Sequence, residues 1–192
     1  MDFSYSEVQQ MLQDSVKKFV SKNYDFDTRS KIIESEAGYS KENWQLFAEL
    51  GWLAVPLSEE DGGLGGSAVD LMVMMEEFGK ANLVEPFLPS AVIGGSLVAE
   101  LATNDQKSQI LEKVVGGNLQ LAYASAETGS RFNVSKVATS AEAKGDDIVI
   151  NGKKIAVLNG PNADQLLVCA RERGGESDAD GISMFLVDPN TP

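Results

Sequence analysis

Residues 119–160, LQLAYASAETGSRFNVSKVATSAEAKGDDIVINGKKIAVLNG, contain the change of pattern that decides the fold. Before residue 119, apolar residues recur every three or four positions, as they do on the buried face of a helix. From residue 119 onward they alternate with other residues, as they do on a half-buried strand. We therefore predict an α+β protein with an all-α unit over residues 1–118 and a β-unit over residues 119–192, and we expect a functional site near the change.

The composition narrows the classes of function. The chain has 192 residues and a net charge of -13, which disfavours nucleic acids and anionic lipids as partners because both carry dense negative charge. The sequence contains no histidine, which excludes Ser-His-Asp and Cys-His catalysis and removes the commonest zinc ligand. We predict no metal site, so the chemistry must come from carboxylates, hydroxyls or a bound organic cofactor.

The single cysteine and the lack of long apolar runs exclude further classes. Cys169 has no second cysteine to pair with, and its place in an apolar run predicts a small buried side chain. No apolar run reaches the ~20 residues that a membrane span needs, and the first residues lack the apolar core of a signal peptide. We therefore expect a cytoplasmic protein without membrane association.

The apolar pattern predicts five or six helices in the first 118 residues, and capping residues mark the starts of four of them. A Ser or Thr followed three residues later by an acidic residue or Gln satisfies free N–H groups in the first turn of a helix. The helix starts predicted in this way are Ser4 with Glu7, Ser67 with Asp70, and Thr103 with Gln106. Ser40 is a further predicted cap, without such a partner.

A glycine-rich stretch, PLSEEDGGLGGSAVD over residues 56–70, invites two interpretations. Gly63, Gly65 and Ala68 match the GxGxxA pattern of dinucleotide-binding loops. That pattern binds a pyrophosphate only between a parallel strand and a helix, and no strand pattern flanks this one. The favoured interpretation is a tight connection that ends where Ser67 begins the next helix.

The second part of the chain predicts five strands and no helix. Asn151-Gly152 is a strong signal for a two-residue hairpin between two of these strands. An antiparallel sheet or partial barrel follows, because parallel strands usually need helical crossovers. The predicted strands cover residues 119–123, 148–150, 155–157, 166–170 and 182–187.

After a run of helices, five segments in order resemble the acyl-CoA dehydrogenase family. They are PxxxxDGGLGG from Pro56, TNDQK from Thr103, AYASAETG from Ala122, NGKKIAVLNG from Asn151 and GISMFLVDP from Gly181. Within the family, FAELGWLAVP from Phe47 and FGKANLVEPFLPS from Phe78 are most similar to small subunits of pimeloyl-CoA dehydrogenases.

The resemblance implies an N-terminal α-helical domain over residues 1–118 and an incomplete middle β-domain over residues 119–192. In the family a second helical bundle follows and supplies the catalytic glutamate. The sequence stops before that bundle, so we expect no catalytic base in these residues and no activity of the chain alone. The implied reaction is FAD-dependent α,β-dehydrogenation of an acyl-CoA, with reoxidation by an electron-transfer flavoprotein.

The resemblance also implies where FAD binds. One family segment reads AYxxTEPGAGSD and aligns with AYASAETGSRFN from Ala122; another reads WIT and aligns with residues 156–158. The implied cofactor-binding residues are Tyr123, Ser125, Ala126, Arg131, Phe132, Ala156, Val157 and Leu158, with Phe132 also near the substrate.

Several of these positions differ from the family pattern. Ala156 and Leu158 stand where the family has a tryptophan that covers the flavin and a hydroxyl near its N5 atom. Phe132 replaces a serine, whereas Arg131 adds a charge suited to a phosphate. Two hypotheses remain: a catalytic subunit, or a degenerate non-catalytic partner that completes a heteromeric dehydrogenase. Either predicts a homo- or hetero-oligomer, the latter with a large subunit, because exposed sheet edges favour association.

Overall fold

The computed structural model describes residues 4–191 and divides them into two compact units. The residues up to Phe87, together with Gly95–Asn118, form a helical unit; Leu88–Gly94 and the residues from Leu119 onward form a β-unit. Ser90 connects the short segment to the sheet, because its hydroxyl accepts a hydrogen bond from Leu121 N at 3.0 Å. No helix among the described residues combines the length and the apolar character of a membrane span.

Six α-helices build the helical unit within the described residues. They are α1 (Glu7–Asn23), α2 (Phe26–Ile33), α3 (Lys41–Glu49), α4 (Ala68–Lys80), α5 (Gly95–Leu101) and α6 (Asn104–Val115). Short 3-10 turns at Trp52–Ala54 and Glu59–Asp61 lie between α3 and α4, and a π-helical segment, Phe87–Gly94, leads into α5. The prediction of an all-helical first part is confirmed.

Three of the four predicted helix starts are confirmed. Ser40 begins α3, and the pairs Ser67 with Asp70 and Thr103 with Gln106 form capping boxes at α4 and α6. The first helix begins two residues later than predicted, because Ser6 and Gln9 form the capping box. Ser4–Glu7 and Ser6–Gln9 overlap in sequence, so the motif alone did not distinguish them.

Aromatic rings fill the core of the helical unit. Phe47 is fully buried, and its ring centroid lies 5.2 Å from that of Phe19 and 4.8 Å from that of Trp52. Phe78 of α4 stacks on Phe47 at 5.7 Å. These edge and offset contacts hold α1, α3 and α4 around one cluster and add to the stabilisation from apolar burial.

The part of the β-unit that the structure describes, up to residue 191, contains one mixed sheet of five strands. They are β1 (Leu121–Ala124), β2 (Ser140–Lys144), β3 (Asp147–Asn151), β4 (Gln165–Arg171) and β5 (Ile182–Val187). Strand β4 is central: β1 pairs with it in parallel, β5 pairs with it antiparallel, and β2 meets its end at Ser140 and Arg171. Strand β2 also pairs antiparallel with β3.

The sheet is thus mixed rather than wholly antiparallel, although the α+β fold class is confirmed. The expectation of antiparallel strands assumed that parallel ones need a helical crossover. Here the long connection from β1 to β4 contains the β2–β3 hairpin and irregular loops, and it returns the chain in the direction of β1. A hairpin thus replaces the usual helix in the crossover.

The predicted hairpin at Asn151-Gly152 is wrong. Strands β2 and β3 turn instead at Gly145, whose φ of 67° suits a tight turn. After Asn151 the chain leaves the sheet, and the predicted strand over residues 155–157 is an irregular segment in which Ala156 has a φ of 50°. Ile155 N donates to Ala126 O at 2.9 Å, so this segment pairs with the loop after β1.

Candidate functional site

The predicted residues of the first segment surround the end of β1. Tyr123 lies on β1, Ser125 and Ala126 follow it, and the chain then loops out to Arg131. Tyr123, Ser125, Ala126 and Arg131 line one cavity of about 110 Å³ together with Cys169. Cys169 is buried, as predicted, and its Sγ donates to Tyr123 Oη at 3.4 Å. Burial and this neighbour raise the pKa of the Tyr123 hydroxyl.

Phe132 lies outside this group. Its side chain is fully exposed, and it does not line the cavity although its neighbour Arg131 does. Arg131 has a φ of 48°, which turns the chain sharply just before Phe132. A role of Phe132 in substrate binding therefore depends on a ligand that reaches the outside of this loop.

The predicted residues of the second segment lie beside the first one. The hydrogen bond from Ile155 N to Ala126 O joins the two backbones immediately before Ala156. Val157 is half-buried, whereas the Leu158 side chain is 61% exposed. None of these three side chains lines the cavity at Tyr123.

An ion pair also joins the two segments. The carboxylate of Glu127 accepts a hydrogen bond from Lys154 Nζ at 2.7 Å, and each side chain is only 9% exposed. Glu127 also accepts hydrogen bonds from Ala138 N, Thr139 N and the Thr139 hydroxyl, at 2.8, 3.0 and 2.6 Å. The carboxylate thus connects three loops through four hydrogen bonds.

These contacts determine the charge state of Glu127. Burial alone would raise the pKa of this carboxyl, but the hydrogen bonds from Lys154, Thr139 and the backbone favour the charged form more strongly. The pKa is lowered from 4.5 to about 2. Glu127 is therefore a permanent anion at neutral pH and is not suited to exchange protons there.

A buried arginine supports the same loops from the other side. The guanidinium of Arg171 donates to six backbone carbonyls, three of them those of Val137, Ser135 and Glu176, at 3.1, 2.8 and 3.2 Å. The other three carbonyls belong to Arg173, Asp180 and Asp178. Arg171 thereby holds the loop between β4 and β5 against residues 135–137.

Sequence reasoning missed Lys154, Thr139 and Arg171. Glu127 and Lys154 are 27 residues apart, and no periodicity connects them. Arg171 interacts with main-chain carbonyls. Every residue has one, so the sequence does not indicate which residues are its partners. An available signal was a charged residue within an apolar run: Arg171 ends the run LLVCAR, where a buried charge requires partners.

The glycine-rich stretch before α4 is a structural connection. The N–H groups of residues 63–66 donate to the carbonyls of Ser58, Ala54, Leu57 and Val55, at 2.8 to 2.9 Å. A Cβ on Gly63 would lie 2.2 Å from Leu57 O, so the glycine is needed for close packing. These N–H groups are engaged and do not form a phosphate-binding loop.

The β-unit has features that suit parts of FAD, although the cavity at Tyr123 is too small to enclose the cofactor. A cavity of about 110 Å³ is smaller than the roughly 300–1,000 Å³ of typical cofactor pockets. Among residues 4–191, the N–H groups of Ala126 and Leu158 donate to no protein acceptor, which leaves them for a polar ring edge. The residues therefore fit one edge and one charged part of the cofactor.

Two models of known families match the chain. Residues 6–118 match the model described as "Acyl-CoA dehydrogenase, N-terminal domain", and residues 122–192 match "Acyl-CoA dehydrogenase, middle domain". Together they cover almost the whole sequence. The order of the matches agrees with the order of the helical unit and the β-unit.

Individual acyl-CoA dehydrogenases are also similar to this chain in sequence. The acyl-CoA dehydrogenase FadE12 of Mycobacterium tuberculosis is 30% identical over 192 residues, which cover 99% of this chain and 49% of FadE12. The mitochondrial long-chain specific acyl-CoA dehydrogenase of Rattus norvegicus is 29% identical over 96% of this chain and 43% of its own length. This chain spans about half the length of these relatives.

A solved structure described as an FAD complex of PigA is also similar. It superposes with a TM-score of 0.85 and 27% identity, over 100% of this chain and 50% of the PigA chain. The likeness therefore extends over both units. The PigA structure is a complex with FAD.

Proposed function

This chain belongs to the acyl-CoA dehydrogenase family, and from that premise we propose that it is part of an FAD-dependent enzyme that introduces a double bond between the α- and β-carbons of an acyl-CoA thioester. We assign residues 1–118 to the N-terminal helical domain and residues 119–192 to the middle β-domain. The two family matches support this assignment. The two compact units support it except for Leu88–Gly94, which group with the β-unit.

The observation that carries the proposal is the pairing of the two predicted flavin segments. Ile155 N donates to Ala126 O, and Lys154 Nζ donates to Ser125 O at 3.4 Å. The residues of each pair are 29 positions apart in sequence. Among residues 4–191, the N–H groups of Ala126, in the junction, and of Leu158, three residues after Ile155, donate to no protein acceptor. This arrangement supports FAD binding along the junction.

FAD, when bound, would supply the acceptor for the hydride that leaves the β-carbon. In our proposal the residues of this chain bind and orient the cofactor. Ser125, Ala126 and residues 156–158 offer main-chain groups to the ring, and Tyr123 contributes to the wall of the cavity. Arg131 and Phe132 lie in the exposed part of the loop, and in our proposal Arg131 meets the charged part of the cofactor.

A non-catalytic partner subunit is the second candidate function. Ala156 and Leu158 provide neither an aromatic face nor a hydroxyl, so their side chains stabilise a flavin less than an indole and a threonine would. Ala156 also has a φ of 50°, a conformation in which a bulky side chain is strained. These features favour a chain that completes an assembly in which a large subunit holds most of the flavin contacts.

The remaining parts of the proposal concern partners. We propose an acyl-CoA substrate, an electron-transfer flavoprotein as redox partner, and a homo- or hetero-oligomer with a large acyl-CoA dehydrogenase subunit. Family membership supports the substrate class. The narrower resemblance of residues 47–56 and 78–90 supports a small subunit of a pimeloyl-CoA dehydrogenase. We place the assembly in the cytoplasm.

The visible spectrum tests the proposed function. The chain is purified alone and together with the large subunit, and absorbance near the flavin bands is compared with protein concentration. A yellow chain on its own contradicts the partner-only function. A chain that is colourless alone and becomes yellow only in the mixed complex contradicts a catalytic subunit that binds FAD by itself and supports the partner function.

Leu158→Thr tests the placement of the second segment. Residue 158 is exposed, so a threonine there changes the fold little. If the segment faces the ring, the new hydroxyl should raise flavin retention in the complex. Leu64→Thr, at an exposed position of the helical unit, is the matched control and should leave retention unchanged.

A further inference from the structure

We infer that Asn151-Gly152 is a site of spontaneous covalent modification, at which the asparagine converts to isoaspartate and loosens the junction between the two predicted flavin segments. The inference goes beyond the proposed function, because the conversion requires only this chain and water. Its effect on the cofactor rests on the proposed function. The pair does not form the hairpin turn that the sequence predicted, so that role does not account for it.

An asparagine followed by glycine is able to close a ring with its own backbone. The nitrogen of the glycine bonds to the side-chain Cγ, the bond from Cγ to Nδ2 breaks, and the amide leaves as ammonia with the proton of the attacking N–H. Water then opens the resulting succinimide at either carbonyl. One product is aspartate, and the other is isoaspartate, whose main chain runs through the former side chain. Glycine favours the attack because it has no side chain to crowd the nitrogen and its backbone bends freely.

The surroundings of Asn151 leave both reacting groups accessible. Asn151 is the last residue of β3, and both it and Gly152 are exposed. In the described part of the chain, the N–H groups of residues 152–154 donate to no protein acceptor. The attacking nitrogen is therefore free, and no ladder hydrogen bond holds the backbone on the C-terminal side of Asn151.

The second Asn-Gly pair of the sequence, Asn159-Gly160, has the opposite surroundings. Asn159 Nδ2 donates to Gln120 Oε1 at 3.2 Å and to Leu121 O at 3.4 Å, so the leaving amide is engaged. Gly160 N donates to Val157 O at 3.1 Å, so the attacking nitrogen is engaged as well. Both residues are half-buried. This pair is an internal control with the same two residue types.

Isoaspartate at position 151 lengthens a connector, residues 151–155, that is fixed at both ends. At one end, Asn151 pairs with Ser140 of β2. At the other end, the ion pair of Lys154 with Glu127 and the hydrogen bond from Ile155 N attach the chain to the loop after β1. The conversion adds one methylene to the backbone, which is about 1.5 Å of extra chain.

The middle of the connector has no space for this extra length. A Cβ on Gly152 would lie 2.3 Å from Thr139 Oγ1, and that hydroxyl donates to Glu127 at 2.6 Å. A shift of Gly152 toward Thr139 disturbs this hydrogen bond, and a shift along the chain displaces Lys154 and Ile155. In both cases the contacts that join the two segments weaken.

Peptide mapping of the full chain tests the modification site. The protein is incubated at neutral and at alkaline pH, and isoaspartate at each Asn-Gly pair is followed by mass spectrometry and by labelling with an isoaspartyl methyltransferase. Isoaspartate should form at Asn151 at least about tenfold faster than at Asn159, whose hydrogen bonds must break first. The rate should rise with pH, because the attacking nitrogen must lose its proton.

The urea-unfolded chain is the reference for the difference between the pairs. There the two pairs should react at similar rates, since the structure that distinguishes them is gone. The inference is overturned if Asn151 stays intact in the folded chain while the unfolded chain converts. It is also overturned if the folded chain converts Asn151 and Asn159 equally fast.

Hydrogen exchange of the Ile155 amide tests the effect on the junction. This amide should lose protection in the converted chain. Asn151→Asp carries the new charge without the extra methylene and should keep the amide protected, as should Asn151→Gln after the same incubation, because glutamine must close a larger ring. Repair of isoaspartate to aspartate by the methyltransferase with S-adenosylmethionine should restore protection. Unchanged exchange of Ile155 in a fully converted chain overturns the loosening.

Flavin retention connects the modification with the proposed function. In the complex with the large subunit, conversion at Asn151 should lower the amount of bound FAD, and incubated Asn151→Gln should retain it. A complex that keeps all its FAD after conversion overturns the effect on the cofactor. A complex that is colourless before incubation contradicts the proposed function and leaves the modification site intact, because that site is measured on the chain alone.

Discussion

Glu127 Oε1 lies 2.7 Å from Lys154 Nζ, and this contact joins the loop after β1 to the segment after β3. Both side chains are only 9% exposed, so either charge would be poorly hydrated if the other were removed. A buried pair of this kind stabilises the native state little relative to apolar packing, but breaking it is costly. Four predictions concern this pair and the residues around it.

Removing one partner of the pair should destabilise the β-unit. We expect Glu127→Gln and Lys154→Met each to cost about 3 kcal/mol, because each leaves a buried charge without its counter-charge. The double variant should cost less than the sum of the two. Hydrogen exchange of the β4 amides in urea measures the effect, and Lys153→Met, at an exposed neighbour, is the control.

The tryptophans offer an internal reference for that experiment. Trp44 and Trp52 both belong to the helical unit, so tryptophan fluorescence follows that unit and not the sheet. The urea transition that tryptophan fluorescence reports should stay unchanged, while the β4 amides lose protection against hydrogen exchange. Costs that simply add in the double variant would show that Glu127 and Lys154 act independently.

The stability of the β-unit should depend on pH through Glu127. The folded-state pKa is about 2 and the ordinary value is 4.5, so the unfolded chain takes up the proton first as the pH falls. The stabilisation is complete above about pH 4.5 and is lost toward pH 2, with an amplitude on the order of 3 kcal/mol. Urea unfolding at several pH values should show this window, and Glu127→Gln should lack it.

Arg171 should not be replaceable by lysine. A lysine has three donors and no planar fork, so it cannot serve six carbonyls at once. We expect Arg171→Lys to cost at least about 2 kcal/mol and to expose the Val137 amide, which donates to Glu176 O at 2.9 Å. Arg173→Lys, at an exposed position of the same loop, is the control. Equal exchange rates in both variants would contradict a holding role for Arg171.

Gly152 should tolerate no side chain. A Cβ there would lie 2.3 Å from Thr139 Oγ1, the hydroxyl that donates to Glu127. Gly152→Ala should therefore displace Thr139 and cost about 1–3 kcal/mol. Gly79→Ala is the control, since no atom lies within 4 Å and alanine favours the α4 helix by about 0.5–1 kcal/mol. Thermal unfolding measures both.

Features that depend on a few neighbouring residues were predictable from the sequence. The caps at Ser67 and Thr103 require only one partner three residues away, and strand β5 is one apolar run. The hairpin signal at Asn151-Gly152 failed for a non-local reason. Gly152 packs against Thr139, and the following segment pairs with the loop after β1.

In the candidate site, too, local groupings of residues were predictable and long-range contacts were not. Tyr123, Ser125, Ala126 and Arg131 are close in sequence, and they share one cavity. Lys154 reaches Glu127 from 27 residues away, and Lys136 turns back over Gly129. The spacing of apolar residues predicts helices and strands but not contacts between distant loops. Such contacts depend on how the loops pack once the sheet has formed.

The parallel pairing of β1 with β4 has a consequence for how the chain is made. Gln120, just before β1, hydrogen-bonds through its N–H to Asp164, which lies 44 residues later. During synthesis the helical segments and β1 leave the ribosome well before the strand that completes the sheet. Closing so long a loop is slow relative to forming local helices. Nascent β1 therefore waits with an open edge, and this interval is when a chaperone or an assembling subunit would matter most.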